Sequence, residues 1–492
     1  MARSGGVHGS LLDFQEGNGP GGPFSLKSKG GMNSKSGGGV FLSEPMQHLF
    51  PFILLALGMG VVAAGKPAPD LQARLDAFVQ DRPGGIAVVW VDADSTAFFQ
   101  AGRFSARDNR PITADTQFEL GSVTKVFTAL LLAESERLGK VGRDEPVATY
   151  LLPADDDDHP LLTKITLLTL ATHTSGLPRL PSNFTRENWA NPYVAIKRAD
   201  LVEGLRLDGP RAVVGRSVAY SNFGVALLGE ALAEAWRSGY DDALRAHVLN
   251  PLGMDATVIA LPGTRPGETL APGHDPAGRP AANWELDAYA PAGALRSSTR
   301  ELGKFLRSAI GDEKAPLHAA FAATTTVQRA APDVGGSIGL GWFVMADEKR
   351  PVFWHNGGTG GYRSFVGFTR ADGGAAVAVL ANHAVSVDEI GFALLGARPP
   401  TATVVTVKNA ADYVGRYPLK PNFVIDVTTN GGALFAQATG QPRLGLRPGA
   451  ATDRFEVAGV PAEVSFERDA QGKVIALVLH QNGTDQPATR VE

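Results

Sequence analysis

Cysteine is absent from all 492 residues. That excludes disulfide scaffolds, thiolate metal sites, iron–sulfur ligation, thiol nucleophiles and a lipid-modified cysteine anchor. An excess of charge of one sign is missing too. Lys+Arg number 46 against 50 Asp+Glu, a formal net charge of −4, so the chain lacks the basic footprint of a nucleic-acid binder. No His-Glu-x-x-His occurs, and the histidines at 173, 274 and 383 are scattered, so zinc catalysis has no support. Long apolar runs are missing after residue 64, so no stable membrane span is expected in the mature protein. What remains is an ordinary globular balance, 44% apolar and 20% charged, which excludes wholesale disorder. The length suggests roughly two or three domains.

Residues 1–45 are rich in Gly, Ser and Lys and show neither helical nor strand periodicity. They read as a disordered extension or as a start codon called too early, since Met32 and Met46 follow. The run Leu49 to Leu57, continuing to Ala64, is shorter than the about 20 apolar residues of a membrane span. It ends in small residues, with Val62 and Ala64 where a signal peptidase reads. Residues 46–64 therefore read as an export signal, and the periplasm is the expected destination. An uncleaved anchor is the competing reading.

From residue 70 to 396 the pattern is mixed. Leu71 to Val79 reads as an amphipathic helix, and Ile86 to Val91 as a strand with Ala97-Phe98-Phe99 as its partner. Val123 to Leu138 is apolar nearly all round, which predicts a buried helix. Ile165 to His173 and Phe223 to Trp236 are further helices. Strands follow at Phe365 to Phe368 and Ala375 to Leu380. Strands at both ends with helices between them imply an antiparallel sheet beside a helical region, an α+β architecture. Residues 397–408, with Arg398-Pro399-Pro400-Thr401, read as a linker. Beyond it, alternating segments at Phe423–Val427, Leu434–Ala436, Ala462–Phe466 and Val474–Leu479 are joined by turn residues. Residues 409–492 therefore read as a small all-β barrel or sandwich.

Three short motifs carry chemistry. Ser122-Val123-Thr124-Lys125 opens the buried helix, where residues three apart lie on one face. A desolvated Lys125 can lose its proton and activate the Ser122 hydroxyl. The helix N-terminus favours developing negative charge. Tyr220-Ser221-Asn222 precedes the helix at Phe223. A phenol can relay a proton when a cation lies near, and an Asn amide can hold a substrate amide by both its groups. His355-Asn356-Gly357-Gly358 runs into further glycines. Glycine there lets a substrate backbone approach a strand edge and lets N–H groups face an oxyanion. Alone, each motif reads equally well as a helix cap, a buried Tyr beside a cap, or a Gly-rich hairpin.

In this order, the three motifs resemble the signatures of the serine β-lactamase and penicillin-binding D-alanyl-D-alanine peptidase superfamily, on its class C branch. Leu170 to Pro178, Pro251-Leu252-Gly253-Met254 and Leu380-Ala381-Asn382 also resemble that family. The resemblance implies a β-lactamase/transpeptidase-like fold over residues 70–395, an antiparallel sheet flanked by helices plus a helical region. The trailing domain resembles, more loosely, the lipocalin-like β domain found after some of these hydrolases. The family mechanism implies Ser122 as the nucleophile that forms an acyl-enzyme, with Lys125 and Tyr220 sharing the proton traffic. It implies Asn222 as the holder of the substrate amide, and N–H groups of Ser122 and Gly358 as the oxyanion hole beside Gly357. It places His355 and Asn382 toward a substrate carboxylate, and it needs no metal or cofactor. The substrates it implies are β-lactams, D-alanyl peptides or small esters. Alternatives on the same machinery are a D-Ala-D-Ala carboxypeptidase or endopeptidase, a carboxylesterase, and a penicillin-binding protein without turnover. His355 stands where class C β-lactamases usually carry Lys. At its ordinary pKa it would be neutral or half charged near pH 7, with a weak and pH-dependent grip on a carboxylate.

Two features read as decoys. Gly335-Gly336-Ser337-Ile338-Gly339 matches G-x-S-x-G, but a strand-like segment follows where that motif needs a helix. The run Asp155 to His159 lacks the spaced ligands and central Gly of a calcium loop, and reads as a solvated surface.

Overall fold

The computed structural model describes residues 69–491, apart from 154–159, 186–187, 189, 332–335, 346–349, 400–404, 421–422, 440–443, 450, 458–461 and 482–483. The 1–45 extension, the 46–64 signal, the Asp155–His159 run and part of the 397–408 linker lie outside the described residues.

Strands from both ends of the first region share one antiparallel sheet. Among the described residues its order is Asp108–Pro111, Thr96–Ser105, Gly85–Asp92, Ala375–Ala381, Arg363–Thr369, Phe353–Gly358, Phe343–Met345, Gly336–Ile338 and Arg329–Ala331. Ala97, Phe98 and Phe99 pair with Trp90, Val89 and Val88 as expected. Every residue of Ala375–Ala381 is buried, and so are Gly85 to Val91. A strand buried on both faces needs a layer on each side. On one side Val89 and Val91 pack into a large core with Leu302 and Phe305 of the helix Thr299–Ile310. On the other, Val88 and Trp90 meet Leu71 and Leu75 of Leu71–Val79, and Phe392 of Asp388–Leu394.

The helical region surrounds Thr124–Arg137, in which every residue from Thr124 to Ser135 is buried. The all-round apolar pattern is what predicted that burial. The helix begins one residue later than the pattern implied, because Gly121–Val123 forms a 3-10 turn ahead of it. The Ile165 to His173 segment is shorter than expected. A 3-10 turn at Leu162–Lys164 precedes it, and its helix spans Leu167–Ala171. Thr166 caps that helix in a reciprocal pair with Thr169. Asn222–Trp236 is helical with Ser221 as its cap. Ser337 lies in the strand Gly336–Ile338 with no helix after it, so it has no nucleophile elbow.

Among the described residues, eight strands from Gly415–Lys420 to Thr484–Thr489 form the second sheet, each antiparallel to the next in sequence. The Val491 N–H donates to Arg416 O at 2.9 Å, which draws the last strand's end to the first and nearly closes a barrel. Its interior holds Tyr417, Ile425, Leu434, Phe466 and Leu477. Gly431 and Gly432 turn the Asn430 hairpin with φ of +58° and +80°, the left-handed backbone that such a turn demands.

One packing contact reaches the site directly. Gly229, on Asn222–Trp236, lies against the ring of Pro291 so closely that a Cβ would overlap it. Pro291 belongs to the short helix Ala290–Gly293. Gly229→Ala should displace that helix at a cost on the order of 1–3 kcal/mol. Thermal unfolding should show a lower Tm and an activity assay a lower kcat. An unchanged kcat at a lowered Tm would separate the packing from the site.

Candidate active site

The turn that carries Ser122 is held from three sides. Leu120 N–H donates to Leu295 O at 2.8 Å, Leu295 N–H donates to Thr124 Oγ1 at 3.1 Å, and Ser364 Oγ donates to Leu120 O at 2.6 Å. Gly121 sits at φ +51°, and a Cβ there would lie 2.7 Å from Gly358 N. A Cβ on Gly357 would lie 3.0 Å from Ser122 N. The first and third motifs therefore meet backbone to backbone, and only glycine permits the approach.

Lys125 is 1% exposed. Its Nζ lies 3.1 Å from Ser122 Oγ and donates to Ala292 O at 2.7 Å. No carboxylate contacts it among the described residues. Burial, reinforced by the positive Arg179, holds the amine well below its ordinary 10.5. A neutral amine can donate one N–H to Ala292 O and still accept the Ser122 proton.

Tyr220 stands beside this pair. Lys125 Nζ lies 4.9 Å from its ring centroid, and its hydroxyl interacts with Ser122. Burial pushes the phenol up to about 12, against the downward pull of Arg179 and Ser122. The phenol therefore keeps its proton at neutral pH. His173 brackets it: Ala219 N–H donates to His173 O at 2.7 Å, and Ser221 N–H donates to His173 Nδ1 at 3.2 Å. The two rings lie 4.5 Å apart. Burial keeps His173 well below its ordinary value, so Nδ1 remains an acceptor.

Asn222 donates from Nδ2 to Tyr193 OH at 3.2 Å. Its Oδ1 is buried with no hydrogen-bond partner among the described residues, an open acceptor for an amide N–H. Tyr193 continues into an aromatic wall with Trp284 and Tyr289, at ring separations of 5.5 and 4.9 Å. Beneath the site, Glu119 and Arg296 form a buried ion pair at 3.3 Å. Glu119 also accepts from Asn283 Nδ2 at 3.0 Å and Trp284 N–H at 2.9 Å.

His355 is 1% exposed, with Nδ1 2.6 Å from Asn356 O. Burial and the neighbouring Lys125 press it down to about 3. The half charge allowed by an ordinary imidazole is therefore absent near pH 7. Asn382 is fully buried and fully used. Its Oδ1 accepts from Gly85 N–H at 2.7 Å, and its Nδ2 donates to Phe104 O and Pro272 O, each at 2.8 Å. It ties the edge of the sheet together, and no group of its amide is left to meet a carboxylate.

The structure thus brings Ser122, Lys125, Tyr220, Gly357, Gly358 and His355 to one place, with Asn222 following Tyr220 on the next element. Residues 71–395 match the beta-lactamase family model. The chain belongs to the beta-lactamase family. It is a serine hydrolase of that family. Residues 399–490 match a second family, described as a domain of unknown function, DUF3471. A β-lactamase of Pseudomonas fluorescens is 28% identical over 355 residues, 64% of this chain and 94% of that protein. The D-alanyl-D-alanine-carboxypeptidase/endopeptidase AmpH of Escherichia coli strain K12 is 26% identical over 340 residues, 65% of this chain and 86% of that one. The crystal structure of SurE superposes with a TM-score of 0.57 at 23% identity, over 86% of this chain and 98% of SurE. At that identity the likeness is one of fold.

Sequence motifs did not single out Arg179, Tyr193 or the role of His173. Arg179 directly follows the Leu170 to Pro178 segment, which was a usable signal. Tyr193 has none. In the barrel, Ser465 Oγ lies 2.7 Å from His480 Nε2, and His480 Nδ1 lies 2.7 Å from Asp485 Oδ1. The Asp485 side chain is 71% exposed. This chain of contacts lacks the water-excluded setting that activates a triad serine, and reads as a cross-strand polar ladder.

The buried amine sets a stability signature. Folded Lys125 is held below 10.5, while the unfolded lysine is not. Between those values the unfolded chain binds the extra proton, so stability rises with pH. Lys125→Met removes this dependence. Its Tm relative to wild type should decline between pH 7 and 9.5, alongside loss of activity. Parallel Tm profiles would show that the folded amine is charged.

Proposed function

We propose that Ser122 attacks a carbonyl and forms an acyl-enzyme, and that the substrate is a D-alanyl amide, a β-lactam or a related ester. The observation that carries the reading is the desolvated Lys125 amine 3.1 Å from Ser122 Oγ. Lys125 takes the hydroxyl proton as Oγ attacks. The oxyanion forms against the N–H groups of Ser122 and Gly358, whose backbones adjoin. Tyr220, a neutral phenol below about pH 12, protonates the departing nitrogen or oxygen and recovers a proton from Lys125. Asn222 Oδ1 receives the N–H of the substrate's acyl side. Water then attacks the ester with the same groups in reverse.

The two relatives act on the two leading substrate classes by name. The neutral His355 supplies no third-motif cation for the carboxylate that a β-lactam and a free D-alanyl terminus share, so it does not separate these two classes. We further assign residues 70–396 to the hydrolase, 397–408 to the linker and 409–492 to the barrel. The apolar run ending at Ala64 supports export to the periplasm, and no helix among the described residues is long and apolar enough to cross a membrane.

Intact-mass spectrometry after mixing with a penicillin tests the reading. Wild type should gain the mass of one drug molecule and hold it for minutes, and Ser122→Ala should gain nothing. A fleeting adduct with rapid loss of the drug would move the assignment to β-lactamase. An adduct that persists in Ser122→Ala would remove Ser122 as nucleophile.

A further inference from the structure

None of the residues expected to meet a substrate carboxylate is free to hold one. Lys125 is enclosed, and its burial disfavours the charged form. His355 is neutral near pH 7, and the amide of Asn382 is spent on backbone. Arg363 is engaged, donating from Nη1 to Thr359 O at 2.9 Å and Tyr362 O at 2.7 Å, with Asp388 nearby. Arg179 differs from all of these. Its guanidinium carbon lies 5.1 Å from the Tyr220 ring centroid. The residue is partly exposed, and no carboxylate pairs with it among the described residues.

The backbone beneath Arg179 is fixed. Phe223 N–H donates to Arg179 O at 3.1 Å, and Ser221 Oγ donates to Pro178 O at 2.6 Å. The head is thus a cation with no counter-ion among the described residues, on a rigid base, at the ring that adjoins Ser122. An unpaired charge there is unfavourable for its neighbours, since Arg179 disfavours protonation of both Lys125 and His173. An anion delivered by the substrate removes that repulsion. A guanidinium fork matches a carboxylate in two parallel hydrogen bonds.

We propose that Arg179 reads a carboxylate on the leaving-group side of the scissile bond, as a specificity-determining residue placed on the second-motif side of the site. The side follows from Tyr220, which faces the departing atom in the acyl-enzyme reading, and the proposal rests on that reading. Such a contact makes the enzyme select free C-terminal carboxylates over amides. It also strengthens Lys125 as a base once substrate is bound, because the field of Arg179 is then neutralised.

The test uses two esters that differ only in charge, the N-phenylacetylglycyl esters of 3-hydroxybenzoate and of 3-hydroxybenzamide. Wild type, Arg179→Gln, Arg179→Lys and Ser122→Ala are compared as full-length protein. Wild type should favour the benzoate ester by about tenfold or more in kcat/KM, the scale of one charged hydrogen-bonded contact. Arg179→Gln should bring the ratio to within about twofold, chiefly by raising KM for the benzoate ester. Arg179→Lys should restore part of it. An equal loss on both esters would assign Arg179 to packing against Tyr220 and overturn the proposal. So would a preference that survives Arg179→Gln, or a wild type with no preference. Undiminished turnover in Ser122→Ala, or no turnover of either ester, would instead overturn the nucleophile reading.

Discussion

Everything in the site depends on keeping one lysine dry. Water would return Lys125 to an ammonium, which cannot take a proton from Ser122. The fold excludes water by placing the residue in the first turn of a helix that is buried all round. The amine is then offered a single backbone carbonyl, Ala292 O, rather than a carboxylate. A carboxylate would have stabilised the charged form and removed the base. The position of Ala292 is set in turn by Thr128, whose hydroxyl donates to Pro291 O at 2.7 Å, and by the close fit of Pro291 on Gly229. Helix packing thus becomes acid–base chemistry through one carbonyl.

The same dryness shapes the neighbours. Tyr220 stays protonated because desolvation outweighs the pull of Arg179 and Ser122, while His173 and His355 stay neutral because each is buried near a group of positive or potentially positive charge. Four titratable groups therefore sit together with little net charge, and Arg179 is the exception. Polar order is supplied from below by the Glu119–Arg296 pair, which links the strand before Ser122 to the Trp284 loop. A buried pair of this kind adds little stability of its own. It does fix the position of the Ser122 turn relative to that loop.

Much of the fold was legible in the chain. Leu71–Val79 and Asn222–Trp236 follow from helical periodicity, and Gly85–Asp92 and Ala375–Ala381 from short apolar runs rich in Val and Ala. The barrel hairpins follow from Asn-Gly-Gly and Asp-x-x-Gly turns between alternating segments. The shortening near residue 165 was not legible, because Thr166 can cap a helix only once its fold neighbours have left it free to do so. Within the site, the Ser122–Lys125 contact was legible, since residues three apart on a helix face one another. The placement of Asn382 was not. Its motif is a strand end whichever way the amide points, and only the surrounding loops present Gly85, Phe104 and Pro272 to it.

Sequence by itself determined the local chemistry: which hydroxyl lies one turn from which amine, where glycine permits backbones to touch, and which helix must be buried. These are consequences of periodicity and of side-chain size, both carried by neighbouring residues. Tertiary structure alone decided the charge states. Whether His355 titrates near neutrality or near 3, whether Lys125 is an acid or a base, and whether Arg179 has a counter-ion all depend on what distant segments place within a few ångströms. Desolvation and Coulomb interaction act through space, so the linear order of residues does not contain them.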